Sequence, residues 1–240
     1  MALSIADFVR ERPFNDFGPL RRLMGVPVDP RLGGNCIELA REFSEQLEGV
    51  RARIFARAED EIHHAVLTED AQGLWYWDPS LQQAEPFNLN VLKDQIFASC
   101  TAFPCIAGRM STLNFANVGD DSFTVAKRLY KPEPPHVHEK LSFRYNLKDF
   151  VSEALVSDED LVAGHEEGSF CLEHVLPDGG VISFVSGEGF LSARKVGMLV
   201  PVEKSCAEVE RLLKLSEGQL FSALSDVREL YSGYRLLTQK

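Results

Sequence analysis

Residue types that can form a nucleophilic triad occur in order within the first third of the chain. Cys36 follows two glycines and an asparagine in RLGGNCIELA, the pair His63 and His64 comes next, and Asp78 ends the stretch WYWD. A thiolate is the nucleophile in cysteine enzymes, an imidazole can accept the thiol proton, and a carboxylate can orient the imidazole. The residue types and their order therefore predict a Cys-His-Asp triad with Cys36 as the nucleophile.

A helix is predicted to position Cys36. Apolar residues recur at helical spacing on one face, at Cys36, Ala40, Phe43 and Leu47. Asn35 suits the N-cap, so Cys36 falls in the first turn, where the helix dipole and unpaired N–H groups favour a thiolate. Glycine lets the backbone approach a substrate carbonyl closely, so we predict that Gly34 and Asn35 contact substrate.

Two antiparallel strands are predicted to position the other members. Residues 62–78 alternate in polarity around a turn at Gly73. A hairpin of this kind brings a histidine near the start of its first strand beside Asp78 at the end of its second. Because adjacent strand residues face opposite sides, only one of His63 and His64 can meet both Cys36 and Asp78.

Each of these residues alone has a simpler explanation. Cysteine is among the residue types most often buried, and a lone histidine in a strand is more often structural. The joint occurrence in this order favours a triad over those readings. His136 and His138 in HVH form a second histidine pair, but a third ligand is not evident, so we predict no metal site.

The pattern of elements predicts an α+β fold. Helices at the N-terminus carry the nucleophile, an antiparallel sheet or barrel-like middle follows, and strands and helices form the C-terminal part. We divide the chain into a helical segment (1–49), a β-rich core region (50–130) and a C-terminal region (131–240), all of which can belong to one compact unit. Within these, residues 90–103 are predicted to be helical, and the proline-rich residues 131–140 are predicted to be a linker or an exposed crossover.

Composition excludes several classes of function. The formal net charge is −11 and no basic face is evident, which argues against nucleic-acid binding. No apolar run approaches a membrane span, and the N-terminus has no signal-peptide core, so we expect no membrane partner and a cytoplasmic location. The five cysteines are scattered without a CxxC pair, which argues against a disulfide framework or a zinc ribbon. The sequence contains no phosphate-loop motif, so we predict no tightly bound cofactor.

The stretches LGGNCIEL, HHAVL and WYWDPSL resemble the arylamine N-acetyltransferase family, whose Cys-His-Asp triad belongs to the transglutaminase-like and papain-like superfamily. The resemblance implies that Cys36 is the nucleophile, that Glu38 matches the family glutamate and that Asp78 orients the base. The segment HAVL, which begins at His64, matches the family pattern slightly better than a segment that begins at His63. We therefore predict His64 as the base. His63 is then assigned to substrate binding. Leu32 stands where the family has arginine.

The resemblance also implies a reaction. Cys36 would take an acyl group from a thioester cosubstrate, acetyl-CoA or an acyl carrier protein, and pass it to a small-molecule amine to form an amide. Relatives in natural-product pathways act as amide synthases in this way. Pro79 and Ser80 after Asp78 resemble the wider transglutaminase-like group instead. A cysteine hydrolase or peptidase, a transglutaminase-like amide-processing enzyme and a catalytically silent binding relative therefore stay open as alternatives.

Overall fold

The chain forms two compact units in the computed structural model, which describes residues 4–47, 52–56, 63–106, 109–119, 121–132, 135–147, 156–163, 165, 168–187 and 190–238. The first unit comprises Met1–Arg10, Cys36–Leu155 and Pro177–Gly180, and the second comprises Glu11–Asn35, Val156–Leu176 and Val181–Lys240. Because the chain passes several times between units, their boundaries differ from the three consecutive segments drawn from sequence (1–49, 50–130 and 131–240).

Helices and antiparallel strands both contribute, which confirms the predicted α+β class. The helices are α1 (Ile5–Glu11), α2 (Gly18–Leu23), α3 (Cys36–Gln46), α4 (Asp158–Ala163), α5 (Val202–Leu213) and α6 (Gln219–Thr238). Within the described part of the chain, no helix combines the length and the apolar character that crossing a bilayer requires.

In the described ranges, the strands form three antiparallel sheets. Their bounds are β1 (Phe14–Asn15), β2 (Ala52–Ala56), β3 (His64–Asp70), β4 (Gly73–Trp77), β5 (Phe87–Asn88), β6 (Phe97–Ile106), β7 (Arg109–Gly119), β8 (Ser122–Pro132), β9 (Pro135–Asn146), β10 (Phe170–Val175), β11 (Val181–Gly187), β12 (Phe190–Lys195) and β13 (Met198–Val200). The sheet orders are β2-β3-β4-β5, β6-β7-β8-β9 and β1-β10-β11-β12-β13.

The first unit buries one apolar cluster between two of these sheets. Tyr76 of β4 meets Phe115 of β7 edge-to-face, with ring centroids 5.2 Å apart, and also meets Phe123 and Tyr145. In the β3-β4 hairpin, Val66 lies opposite Trp77. The start of β3 and the end of β4 therefore lie at the same end of the hairpin, as the sequence predicts.

The second unit holds the remaining sheet and helices. Leu172, Ile182 and Phe184 of that sheet share a buried cluster with Val209 of α5 and Leu224 of α6. Glu210 of α5, itself buried, accepts hydrogen bonds from the backbone N–H groups of residues 218, 220 and 221 at the start of α6. This carboxylate satisfies N–H groups that a helix N-terminus leaves unpaired.

Two local predictions are wrong. Residues 90–103 are not a helix: a short 3-10 helix (Leu89–Lys93) precedes β6, in which Cys100 and Ala102 are buried and pair with β7. Residues 131–140 are not a linker, because β8 and β9 form a long antiparallel hairpin in which Pro132 lies opposite Pro135. Prolines are tolerated there because ladder hydrogen bonds end at the tip of the hairpin.

Candidate active site

Cys36 is the first residue of α3 and is buried, with 9% of its surface exposed. The helix is anchored by Phe43, whose ring meets Phe8 of α1 at 5.1 Å and Trp77 of β4 at 5.6 Å between centroids. Because Asp78 directly follows Trp77, this packing holds α3 against the end of β4. The unpaired N–H groups and the dipole of a helix N-terminus favour an anionic sulfur at that position.

His63 lies between Cys36 and Asp78. Its Nε2 is 2.8 Å from Oδ2 of Asp78, and its side chain hydrogen-bonds with that of Cys36. Because Nε2 is engaged by the carboxylate, Nδ1 is the nitrogen left to face the thiol. The ring also stacks on Phe143 of β9, with centroids 4.0 Å apart and planes 15° apart. The imidazole is therefore fixed at one edge and on one face.

The charge of this imidazole follows from its neighbours. Burial alone lowers the pKa of His63, since it disfavours the imidazolium. The negative charge of Asp78, the hydrogen bond to Asp78 and the interaction with Cys36 outweigh burial and raise the pKa to about 10. His63 is accordingly an imidazolium near neutral pH, with Asp78 as its counter-ion.

Asp78 is fully buried and its carboxylate is saturated with donors. In addition to His63, Oδ2 accepts the Tyr76 hydroxyl at 2.7 Å. Oδ1 accepts the Ser80 hydroxyl at 2.7 Å and the backbone N–H of Leu81 at 3.0 Å. Burial raises the pKa of Asp78, but the charge of His63 and these hydrogen bonds act in the opposite direction and leave the pKa below its usual value. The carboxylate thus stays ionised without contact with water.

The structure brings His63, not His64, to Asp78. His64 is the first residue of β3 and is fully buried. The preference for His64, which came from the family pattern, is wrong for this contact: His63 lies in the bend directly before β3, and its side chain is the one that reaches Asp78. His63, which we assigned to substrate binding, therefore occupies the position expected of the base.

The residues before Cys36 have structural duties. Gly33 adopts φ +74°, and a Cβ there would lie 1.7 Å from the carbonyl oxygen of Pro13, so glycine is required. The N–H of Gly34 donates to Pro13, and its carbonyl accepts from the N–H of Asn15. Asn35 is buried directly before α3. Substrate contacts by Gly34 and Asn35 stay predictions.

Several residues around the triad escaped the sequence analysis, and Tyr76 is one of them. Tyr76 and Asp78 are two residues apart, and that spacing places both on one face where β4 ends. The alternation could therefore have indicated their contact. Phe143 carried no comparable signal, since its contact with His63 depends on long-range strand pairing. The side chains of His136 and His138 lie outside the described residues.

Other cysteines have different surroundings. Burial, with nearby carboxylates, raises the pKa of both Cys100 and Cys206 to about 12, so these thiols stay protonated. Cys171 donates its thiol proton to Oδ2 of Asp16 at 3.2 Å. Cys36 differs from these three in facing an imidazolium at the start of a helix.

Comparisons with known proteins find similarity of fold. No family model and no curated protein matches the chain. An arylamine N-acetyltransferase structure from Mycobacterium abscessus is similar over 95% of this chain and 86% of that one, with a TM-score of 0.51 and 14% sequence identity. Arylamine N-acetyltransferase C from Bacillus anthracis aligns over 88% and 89%, with a TM-score of 0.48 and 8% identity. The first of these shows that the chain has an arylamine N-acetyltransferase-like fold.

Proposed function

We propose that this chain is a cysteine-dependent acyltransferase that moves an acyl group from a thioester, through Cys36, to an amine. The observation that carries the proposal is the convergence of Cys36, His63 and Asp78 at the start of α3, with Nε2 of His63 2.8 Å from the buried carboxylate. The arylamine N-acetyltransferase-like fold supports the same assignment. The thioester cosubstrate, acetyl-CoA or an acyl carrier protein, is part of the proposal.

In the first half-reaction the Cys36 sulfur attacks the thioester carbonyl carbon. The His63 imidazolium favours the thiolate form of the attacking sulfur. The bond between the carbonyl carbon and the donor sulfur breaks, and the departing thiolate takes the proton of His63. N–H groups at the start of α3 suit the negative charge that develops on the carbonyl oxygen. The products are a free donor thiol and an acyl-cysteine.

In the second half-reaction an amine attacks the acyl-cysteine. His63, now neutral, accepts the proton that the amine loses as the new carbon–nitrogen bond forms. The bond between the acyl carbon and the Cys36 sulfur then breaks, and the amide leaves. Asp78 stays ionised throughout and holds the imidazole with Nδ1 towards the sulfur. The scheme is a ping-pong exchange in which His63 carries one proton in each direction.

Intact-mass measurement tests this scheme. The chain is incubated with acetyl-CoA and, separately, with a small acyl thioester that lacks the nucleotide. We expect a single acyl adduct that maps to Cys36, is absent in Cys36→Ala, and persists in Cys105→Ala, which changes a half-buried cysteine of the same unit. Addition of an aromatic amine should discharge the adduct and yield the amide.

The same experiment separates the alternatives. An adduct that water removes as fast as added amine indicates a hydrolase with the same triad and contradicts transfer. Absence of any adduct, together with Cys36-dependent turnover of an amide or peptide, also overturns the acyltransferase proposal. Equal behaviour of Cys36→Ala and the unsubstituted chain would refute every catalytic role for Cys36.

A further inference from the structure

A buried hydroxyl chain leads away from the triad. The Tyr76 hydroxyl lies 2.7 Å from Oδ2 of Asp78, the same oxygen that engages Nε2 of His63 at 2.8 Å. The hydroxyl of Tyr145 lies 3.4 Å from that of Tyr76. Tyr76, Tyr145 and Asp78 are fully buried. Four polar side chains thus follow one another from the interior to the thiol.

The number of available protons determines which group is the donor in each hydrogen bond of this series. A phenol carries one proton, and its short contact with a carboxylate requires that proton to lie between Tyr76 and Asp78. A hydrogen bond between the two phenols therefore has Tyr145 as its donor, since the single proton of Tyr76 is used on Asp78. Oδ2 of Asp78 then accepts two hydrogen bonds, one from Tyr76 and one from His63. The two donors share the negative charge of one oxygen.

We propose that Tyr76 is a positioning residue of the triad, which keeps Asp78 ionised and moderates the hydrogen bond between Asp78 and His63. The inference rests on the proposed function, since the position of His63 matters only if His63 acts on Cys36. Ser80 and Leu81 hold Oδ1, so Tyr76 provides the matching anchor on Oδ2. Donors on both oxygens prevent the carboxylate from rotating out of the plane that meets Nε2.

The packing of Tyr76 indicates that its hydroxyl has a polar role in addition to the role of its ring in the apolar core. Its ring contacts Phe115 and Phe123 edge-to-face, which a phenylalanine could do equally well. The hydroxyl therefore adds nothing to that apolar packing, yet it is buried. Burial and the nearby carboxylate raise the pKa of Tyr76 well above its usual value, so the phenol stays a donor.

Other titratable groups act on this carboxylate from neighbouring elements. His63 precedes β3 and Cys100 comes from β6, while Tyr145 of β9 acts through Tyr76 and Cys36 of α3 acts through His63. Burial raises the pKa of both Cys100 and Tyr76, so these two groups are neutral near pH 7, His63 supplies the positive charge and Tyr76 is a neutral donor. Removing the hydroxyl changes hydrogen bonding to Asp78 without changing any charge.

The test compares Tyr76→Phe with Tyr145→Phe by NMR. Asp78 is followed through its 13C-labelled carboxyl, assigned with Asp78→Asn, and His63 through its Nε2 proton. In Tyr76→Phe we expect the Asp78 titration midpoint to rise by about one pH unit, a tenfold change in proton affinity. The Nε2 proton should move downfield, since Oδ2 no longer serves two donors. Tyr145→Phe keeps all four hydrogen bonds to Asp78 and should shift the midpoint by less than a third as much.

A measurement on the unsubstituted chain keeps the test independent of variant folding. The Tyr76 hydroxyl proton and the His63 Nε2 proton point at one oxygen, so an NOE between them is expected. An unmoved Asp78 midpoint in Tyr76→Phe, equal shifts in both variants, or no NOE would overturn the inference. None of these readings requires turnover. Failure of thioesters to acylate Cys36 would therefore refute the proposed function, whereas these NMR outcomes would refute only the effect of Tyr76 on Asp78.

Discussion

Replacing Asp78 with asparagine removes the charge of the triad while preserving its size. Oδ1 accepts the backbone N–H of Leu81, a donor that cannot turn away, as well as the hydroxyl of Ser80. The asparagine oxygen is therefore expected to take the Oδ1 position, which leaves the NH2 group facing His63. A donor opposite Nε2 forces that nitrogen to become the acceptor.

The consequence is a reversed tautomer at His63. With Nε2 accepting, the single proton of the neutral imidazole moves to Nδ1, where it faces Cys36 and cannot be exchanged for the thiol proton. Asp78, with a contribution from Cys36, stabilises the imidazolium against the effect of burial and raises the pKa of His63 from 6.5 to about 10. Loss of such stabilisation and of the productive tautomer predicts a fall in acylation rate of about 10³-fold to 10⁴-fold.

A stopped-flow assay of donor-thiol release under single-turnover conditions measures this loss. Ser80→Ala is the matched control, because it removes one hydrogen bond to Asp78 but keeps the charge and the contact with His63. We expect the control to stay within about tenfold of the unsubstituted chain. If Asp78→Asn also acylates Cys36 within tenfold of that rate, the carboxylate does not direct His63 and the reasoning is refuted.

Three further predictions concern stability. Burial lowers the pKa of His174 to about 4, so the unfolded chain binds this proton at a higher pH than the folded chain does. Stability should fall by about 3 kcal/mol as pH drops from 6.5 to 4, and urea unfolding of His174→Phe should lack this slope. Gly33→Ala places a Cβ against the Pro13 carbonyl and should cost more than about 3 kcal/mol, whereas Gly25→Ala, also at positive φ but in open space, should cost about 1 kcal/mol. Glu210→Gln weakens the acceptor for three N–H groups of α6 and should lower stability by about 1 kcal/mol in thermal unfolding. An unchanged stability would show that the carboxylate does not cap α6.

Short-range periodicity accounts for what the sequence predicted of the site. Helical spacing placed Cys36 in the first turn of α3, and alternation with a turn at Gly73 placed Asp78 at the end of the hairpin. The choice between His63 and His64 depended on which of two adjacent side chains faces Asp78. No local pattern determines that orientation, because His63 lies in a bend before β3, and its ring is held by Asp78 and by Phe143 from a distant strand.

Long-range pairing accounts for what the sequence missed in the fold. Residues 90–103 contain enough helix-compatible residues to suggest a helix, yet β6 is held by its partner β7. The prolines near residue 132 suggested a linker because their composition is that of a loop, whereas they lie at the tip of the β8-β9 hairpin. The contact of Tyr76 with Asp78 was within reach of the alternation, since residues two apart share a strand face.

Acyl transfer through Cys36 with His63 as its base is tested most directly by the acylation rate of two neighbouring variants. His63→Gln and His64→Gln are each mixed with a thioester after circular dichroism confirms folding, and the Cys36 adduct is followed by intact mass. We expect His63→Gln to lose at least about 10³-fold in rate and His64→Gln to stay within about tenfold of the unsubstituted chain. Equal losses, or a greater loss in His64→Gln, would contradict the assignment of His63.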